Sequence, residues 1–208
     1  MKRLLEKLVD GRAPGPAHSF SIVHVVKALE LIAEKPIGRN LLSEGLLLGE
    51  GTTRTLLERL KAQKLVAVER KGCTLTLKGK GLWKALHEAL PRKAVLAESS
   101  LTVGSFNVAM LVKQGAKKVK SGLEQRDAAL MAGARGATTL VYRRGKLTVP
   151  PDYREVAKGF PEVSRMIVDL LLPEENDAIV VGSAETVEKA EYGGLAAALS
   201  LIDDSDDR

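Results

Sequence analysis

The sequence predicts an α+β protein with two domains, an N-terminal helical domain that ends in a β-hairpin and one more helix, and a small two-layer α+β domain. Apolar residues recur at helical spacing up to residue 62 and alternate, as in a strand, after residue 65. From about residue 105 onward, segments with helical spacing and segments with strand-like alternation occur again. Residues 1–94 carry 18 basic and 9 acidic side chains, whereas the rest of the 208 residues carries 14 and 17. The first part is therefore basic and the second slightly acidic.

An arm and an amphipathic helix are predicted at the N-terminus. Residues 1–8 are compatible with a short helix, but glycines and prolines between residues 11 and 16 end it. We therefore interpret residues 1–19 as an arm. From Phe20, apolar residues recur every three or four positions until Pro36, which predicts the first helix of the domain.

Two further helices, a hairpin and a last helix complete the N-terminal domain. Leucines between residues 41 and 46 predict a short second helix, and a third helix is expected from about Gly51 to Ala62. Alternating apolar residues on both sides of a turn at 70–72 predict a hairpin. Thr76 can cap a following helix that reaches about residue 90.

The second half alternates short strands with helices. Strands are predicted at 106–112 and 178–181, a hairpin at 138–149, and helices after Ser121, from Pro161, and from 186 to 202. This mixture predicts a small two-layer α+β domain. The predicted boundaries are residues 1–19 for the arm, 20–92 for the first domain, 93–104 for a linker, 105–202 for the second domain and 203–208 for an acidic tail.

Composition and motifs argue against several classes of function. No apolar run approaches the roughly 18 to 20 residues that cross a bilayer, so we expect a cytoplasmic protein. The lone Cys73 and the histidines His18, His24 and His87 show no metal-binding spacing. Neither a phosphate loop, nor a GxGxxG motif after a strand, nor a Ser/His/Asp arrangement is recognisable. We therefore expect no enzyme, no catalytic residue, no cofactor and no metal.

The order of three helices, hairpin and helix is that of a winged helix-turn-helix. Residues 37–60 resemble the helix-turn-helix of bacterial and archaeal winged-helix regulators, in which the recognition helix starts with Gly-Thr-Val-Arg and leucines follow four and seven residues after the valine. Here Thr53 stands at the valine position, with Leu57 and Leu60 in register. The segment from Leu75 to Leu82 resembles the Leu-Thr-x-Lys-Gly segment that follows the wing in such proteins.

The sequence departs from the regulator pattern at two positions. Thr53 is nearly isosteric with valine but adds a hydroxyl group to a position that should be buried. Leu47 occupies the place of the usual turn glycine, so we expect a strained positive φ there or a reshaped turn.

The resemblance implies binding to double-stranded DNA. The N-terminal part of a recognition helix meets base edges in the major groove, while flanking basic side chains meet phosphates. From Arg39 to Lys84 the sequence has ten basic and four acidic residues, as expected for a surface that binds a polyanion. The predicted base readers are Arg54 and Thr55, with Thr52 and Arg59 nearby, and the predicted phosphate contacts are Arg39, Arg70, Lys71 and Lys78.

The second domain is interpreted from a further resemblance. The chain resembles an archaeal family of two-domain proteins, and residues 100–202 are similar in plan to the small α+β domain inserted in bacterial aspartyl-tRNA synthetases and in the tRNA-dependent amidotransferase subunit. The run of Gly, Ala and Thr within 126–140 and the segment 12–16 carry this similarity.

Two interpretations of the whole protein follow. The first is a transcriptional regulator whose second domain forms a homodimer, senses a small-molecule effector, or does both. Apolar residues at 106–112, 178–181 and 195–201 make that domain the expected dimer contact. The alternative is an RNA-associated or tRNA-pathway accessory protein. A third possibility, an enzyme fused to a DNA-binding domain, lacks a recognisable catalytic set.

Overall fold

A computed structural model describes residues 1–10 and 20–202 and divides them into two compact units. Unit 1 comprises the described residues up to His87, and unit 2 runs from Glu88 to Ile202. Unit 1 is mainly helical and unit 2 contains a β-sheet, so the predicted α+β class is confirmed. The predicted acidic tail at 203–208 and residues 11–19 of the predicted arm lie outside the described residues.

Unit 1 contains the three helices, the hairpin and the last helix that the sequence predicts. It also has an additional helix at its N-terminus. Its elements are α1 (Lys2–Val9), α2 (Ile22–Glu34), α3 (Arg39–Gly45), α4 (Glu50–Ala62), β1 (Val66–Glu69), β2 (Gly72–Leu75) and α5 (Leu77–Ala89), whose last turn crosses the boundary between the units. The additional helix α1 packs against α2 and buries Leu5 and Leu8. Part of the predicted arm is therefore a helix of unit 1, because two leucines three positions apart give it an apolar face.

The hairpin is joined to the connection between α2 and α3. Ile37 exchanges two backbone hydrogen bonds with Cys73 of β2, at 2.8 and 3.2 Å. At Gly72, which has φ +121°, an added Cβ would lie 2.7 Å from the Ile37 carbonyl group. Only glycine combines this backbone conformation with so close an approach. Gly72 therefore lets the hairpin lie against Ile37, two residues before α3.

Thr76 holds the start of α5 against the end of α4, as its predicted capping role requires. Its Oγ1 accepts a hydrogen bond from the Gly79 amide at 3.1 Å and donates to the Lys64 carbonyl oxygen at 2.6 Å. An added Cβ at Gly79 would lie 2.0 Å from the Leu65 carbonyl oxygen. The Leu-Thr-x-Lys-Gly pattern thus has a packing reason in this chain.

Leu47, in the turn between α3 and α4, has φ +54° and confirms the expected strain. A left-handed conformation costs a non-glycine residue roughly 1–2 kcal/mol, and glycine costs about 0.4–1 kcal/mol in unfolded-state entropy. Because Leu47 is 62% exposed, little packing is lost on truncation. We therefore expect Leu47→Gly to raise the free energy of unfolding of unit 1 by about 0.5–1 kcal/mol in denaturant titrations.

Leu41 provides the matched control for this substitution, because it is 61% exposed but lies inside α3. Leu41→Gly should lower the free energy of unfolding by about 0.5–1 kcal/mol. If both substitutions destabilise unit 1 equally, the turn conformation carries no strain.

Unit 2 is built on an antiparallel sheet. Within the described residues its strands follow the order β3-β4-β8-β5-β6-β7, and every neighbouring pair is antiparallel. The elements are β3 (Lys93–Leu96), β4 (Phe106–Val112), α6 (Leu123–Met131), β5 (Gly136–Arg143), β6 (Lys146–Val149), β7 (Arg154–Glu155), α7 (Val156–Gly159), α8 (Pro161–Leu171), β8 (Ala178–Ala184) and α9 (Val187–Leu199).

Helices cover both faces of this sheet. The unit therefore has three layers, a sheet between two layers of helices, where the sequence predicted two. Leu111 and Ile179 pack into a cluster with Leu171 of α8, whereas Gly182, on the opposite face of β8, meets the backbone of Gly194 in α9. A strand that is covered on both faces is apolar at successive positions instead of alternating. The continuous apolar runs in β4 and β8 are the sequence signal for this third layer.

Two further predictions for unit 2 are corrected by the sheet. Residues 93–96 of the predicted linker 93–104 form the edge strand β3, which pairs with β4. The segments 106–112 and 178–181, expected at a dimer contact, are central strands, and α9, which includes most of 195–201, packs on them. Apart from the exposed Phe106, the apolar side chains of these two strands serve the core of the unit.

Candidate nucleic-acid interface

The turn between α3 and α4 sets the position of α4 within unit 1. The Leu48 amide donates to the Ser43 carbonyl oxygen at 3.1 Å, and the Ser43 hydroxyl donates to the Leu48 carbonyl oxygen. Leu42 and Leu46 are fully buried on either side of Ser43. The turn is therefore anchored by polar and apolar contacts together.

One face of α4 is buried and the opposite face is open to solvent. The buried Thr53 donates its hydroxyl hydrogen to the Gly49 carbonyl oxygen at 3.2 Å, so the hydroxyl group at this core position is satisfied. The buried face is completed by Leu56, Leu57 and Leu60. The solvent-exposed residues of the helix are Glu50, Gly51, Arg54, Thr55, Glu58, Lys61 and Ala62.

Arg54 and Thr55 lie side by side on the exposed face of the first half of α4. Arg54 Nε lies 3.1 Å from a carboxylate oxygen of Glu58, and the two side chains are 70% and 60% exposed. Such an exposed ion pair is weak, so the guanidinium group can exchange it for another acceptor. The Thr55 hydroxyl donates to the Gly51 carbonyl oxygen at 3.1 Å and keeps its lone pairs as acceptors. Thr52 is half-buried.

The predicted phosphate contacts lie at three places in unit 1, which are the start of α3, the hairpin turn and the start of α5. Arg39 is the first residue of α3, and Arg70 with Lys71 forms the two-residue turn between β1 and β2. All three side chains are exposed. Lys78 is exposed as well, but its ammonium group donates to the Gln63 carbonyl oxygen at 2.9 Å and so satisfies the end of α4.

Arg59 has an internal role that the sequence analysis missed. Its guanidinium group donates to the carbonyl oxygens of Leu8 and Val9 at 2.8 and 2.7 Å and lies 5.2 Å from the centre of the Phe20 ring. It therefore satisfies the C-terminal end of α1 and is withdrawn from the set of base readers. The sequence contains one signal for this role. Arg59 comes three residues after the buried Leu56, and this helical spacing places it beside the apolar face of α4.

The charge on the surface of unit 1 is strongly positive between Arg39 and Lys84. Of the ten basic residues in this fully described stretch, nine are exposed and Arg59 is half-buried, while its four acidic residues are also exposed. Nine exposed cations against four exposed anions leave an excess of five positive charges. This excess attracts polyanions at a distance.

Two other titratable residues of unit 1, His24 and Cys73, lie in partly or fully buried surroundings and have structural roles. His24 Nδ1 accepts a hydrogen bond from the Ser21 amide at 3.0 Å, and burial lowers the pKa of its imidazole. Cys73 is buried, and burial raises the pKa of its thiol. Across residues 1–10 and 20–202 no three His, Cys, Asp or Glu side chains are grouped so that they could hold a metal ion. No helix in the same ranges has the length and apolar character to span a membrane.

Comparisons with known proteins match both parts of the chain. Residues 23–81 match the family model described as the PH0730-like N-terminal domain, and residues 103–201 match a domain of unknown function, DUF4443. A search of curated proteins found no match. Among solved structures, the hypothetical protein PH0730 from Pyrococcus horikoshii OT3 is 32% identical, with a TM-score of 0.69, over 88% of this chain and 93% of that one. With this identity over nearly the full length of both, the chain belongs to the two-domain family of PH0730.

Proposed function

We propose that the protein is a DNA-binding transcriptional regulator, whose unit 1 acts as a winged helix with α4 as the recognition helix. The exposed Arg54 and Thr55 on the first half of α4 carry this proposal. An α-helix fits the major groove, where an arginine can donate two hydrogen bonds to guanine and a threonine can contact several bases. The function is binding, and the proposal assigns no catalytic residue and no cofactor.

Phosphate contacts complete the proposed interface. Arg39 precedes the turn to α4, and Arg70 and Lys71 stand in the turn of the hairpin, which corresponds to the wing. Basic side chains at these places fix the orientation of a winged helix on the duplex without reading its sequence. Lys78 belongs to the same set, because its exposed hydrogen bond to Gln63 can be exchanged for one to a phosphate.

The salt dependence of DNA binding tests the wing. Each phosphate contact contributes a slope of about −0.9 to the plot of log binding constant against log salt concentration. We expect Lys71→Ala to make this slope shallower by about one and to weaken binding to all duplexes alike. Fluorescence anisotropy over a series of salt concentrations measures both effects.

Lys120 supplies the control for this measurement. It is 81% exposed in unit 2 and pairs with Glu124, and the proposal gives it no DNA contact. Lys120→Ala should leave the slope unchanged. If Lys71→Ala also leaves it unchanged, the hairpin is not part of the interface.

The alternative of an RNA-associated protein finds less support in unit 2. Residues 113–120 of unit 2 contain four lysines. Of these, Lys113 binds the buried Asp177, and the Lys118 ammonium group donates to the Ile202 carbonyl oxygen at 2.7 Å. Two of the lysines that would extend a basic surface for RNA thus hold the fold of the unit together. We therefore favour DNA, with duplex RNA as the comparison ligand in the binding assays.

We also propose that the regulator is a homodimer held mainly by unit 2, because specific sites are commonly read by symmetric pairs. Three exposed apolar side chains on α6, Leu123, Leu130 and Met131, form a surface that such a contact would bury. Light scattering on the full chain at micromolar concentration should give about twice the chain mass of 22.3 kDa. Met131→Glu, at a position that is 91% exposed, should shift the equilibrium towards monomer. A monomeric full chain contradicts this prediction.

A further inference from the structure

A cavity of about 460 Å³ opens in unit 2 beside the connection between β3 and β4. Its size lies in the range of small-molecule sites, which is about 300–1,000 Å³. The lining is rich in hydroxyl groups and carries one cation and one carboxylate. The polar lining residues are Glu98, Ser99, Ser100, Thr102, Ser105 and Arg135.

The second half of the connection that forms the cavity wall is held at two points. The Thr138 hydroxyl of β5 donates to the Leu101 carbonyl oxygen at 3.0 Å. The buried Asn107 side chain donates to the Gly104 carbonyl oxygen at 3.0 Å and accepts a hydrogen bond from the buried Ser183 hydroxyl at 2.8 Å. These anchors come from the central sheet, so the cavity is preformed.

Ser99 provides a polar group without a partner. Its carbonyl oxygen accepts hydrogen bonds from the amide and the hydroxyl of Thr102, but its own Oγ is buried and has no hydrogen-bond partner among the described residues. A buried unpaired hydroxyl group is unfavourable and calls for an explanation. Since Ser99 lines the cavity, a rotation about its χ1 angle can offer this hydroxyl to a polar ligand there.

The charged groups at the cavity restrict the class of ligand. The Arg135 side chain is 58% exposed and pairs with Glu185 at 3.5 Å, an ion pair weak enough to be exchanged for a carboxylate that accepts two hydrogen bonds. Glu98, the one carboxylate in the cavity lining, repels polyanions and attracts an ammonium group.

We propose that this cavity binds a free α-amino acid. The ligand carboxylate pairs with Arg135, its ammonium group pairs with Glu98, and the Ser99 hydroxyl supplies a further hydrogen bond. In a transcriptional regulator such a ligand would be the effector. Binding itself involves unit 2 alone and is measured without DNA, so the failure of DNA binding would leave this proposal standing.

Thermal unfolding of the full chain tests the proposal, with each of the twenty amino acids at millimolar concentration. One or a few of them should raise the midpoint by about 3 to 6 °C at ten times the dissociation constant, and calorimetry should give one site per chain. The matching amine without a carboxylate should raise it far less. Inorganic phosphate and AMP form the comparison arm. A shift with these anions alone, or no shift with any amino acid, overturns the proposal.

Two substitutions locate the site. Arg135→Gln should weaken amino-acid binding at least tenfold, whereas Arg154→Gln should not change it, because Arg154 lies outside the cavity lining and holds a similar exposed ion pair with Asp152 at 3.8 Å. Equal effects of the two substitutions would place the ligand elsewhere.

Ser99→Ala separates a role in binding from a role in folding. The substitution should weaken binding several-fold while the midpoint of the ligand-free protein stays the same or rises, because an unpaired buried hydroxyl is removed. A lowered midpoint with unchanged affinity would show that Ser99 serves the fold and would overturn its assignment to the ligand.

Discussion

Replacing Asp177 by alanine should destabilise unit 2 by about 3–5 kcal/mol, the cost of removing one partner from a buried ion pair. The Asp177 side chain is fully buried, and its carboxylate accepts three hydrogen bonds of 2.9 Å. The donors are the Lys113 ammonium group and the amides of Gln114 and Glu174. Truncation leaves both amides unpaired at the start of the central strand β8, and the ammonium group keeps only its contact with the exposed Glu174. Denaturant unfolding followed by circular dichroism measures the loss.

Glu174 is the matched control, because it binds the same ammonium group at 2.8 Å but is 77% exposed. Burial alone would lower the pKa of Lys113, but its hydrogen bonds to Glu174 and Asp177 raise the pKa above the ordinary value. Glu174→Gln keeps a hydrogen-bond acceptor at the surface and should cost less than about 1 kcal/mol. If Asp177→Ala is as mild as Glu174→Gln, the buried carboxylate does not anchor the end of β4 to the start of β8.

Local patterns were sufficient to predict most elements of unit 1. Each rests on neighbouring residues, such as the apolar period of α2, the turn at Arg70 and Lys71, and the capping by Thr76. The positive φ of Leu47 was likewise predictable, because the regulator pattern has glycine at that place. Features that depend on distant contacts were not predictable in this way. The edge strand β3 is four residues long and owes its existence to pairing with β4.

In the candidate interface, too, features set by local patterns were predictable and features set by distant contacts were not. The exposure of Arg54 and Thr55 follows from the helical period of α4 alone, and the structure agrees. The helical period places Arg59 beside the apolar face of α4, but it does not identify the residues that Arg59 contacts, which lie about fifty positions earlier. The burial of Asp177 also results from long-range packing, which single-residue hydrophobicity cannot anticipate, since aspartate is almost never fully buried unless paired.

Arg54→Ala should weaken binding to the preferred DNA site by about 1–3 kcal/mol, roughly 5- to 150-fold, and much less on random duplex. The reason is that a base contact discriminates between sequences, whereas a phosphate contact does not. The preferred site is first obtained by selecting genomic fragments that the full chain retains. Anisotropy titrations with the selected duplex and a scrambled one then give both affinities at one salt concentration.

Two other residues of α4, Glu58 and Arg59, supply control variants for this measurement. Glu58→Gln removes the carboxylate that pairs with Arg54. It should strengthen DNA binding by at most about 1 kcal/mol, because an exposed ion pair contributes about 0.2–1 kcal/mol. Arg59→Ala should instead lower thermal stability, because the end of α1 loses both hydrogen bonds, while the ratio of specific to random affinity stays unchanged. An equal loss for Arg54→Ala on both duplexes would make Arg54 a phosphate contact. If Arg59→Ala changes the ratio of specific to random affinity, Arg59 contacts a base and the second half of α4 takes part in base reading.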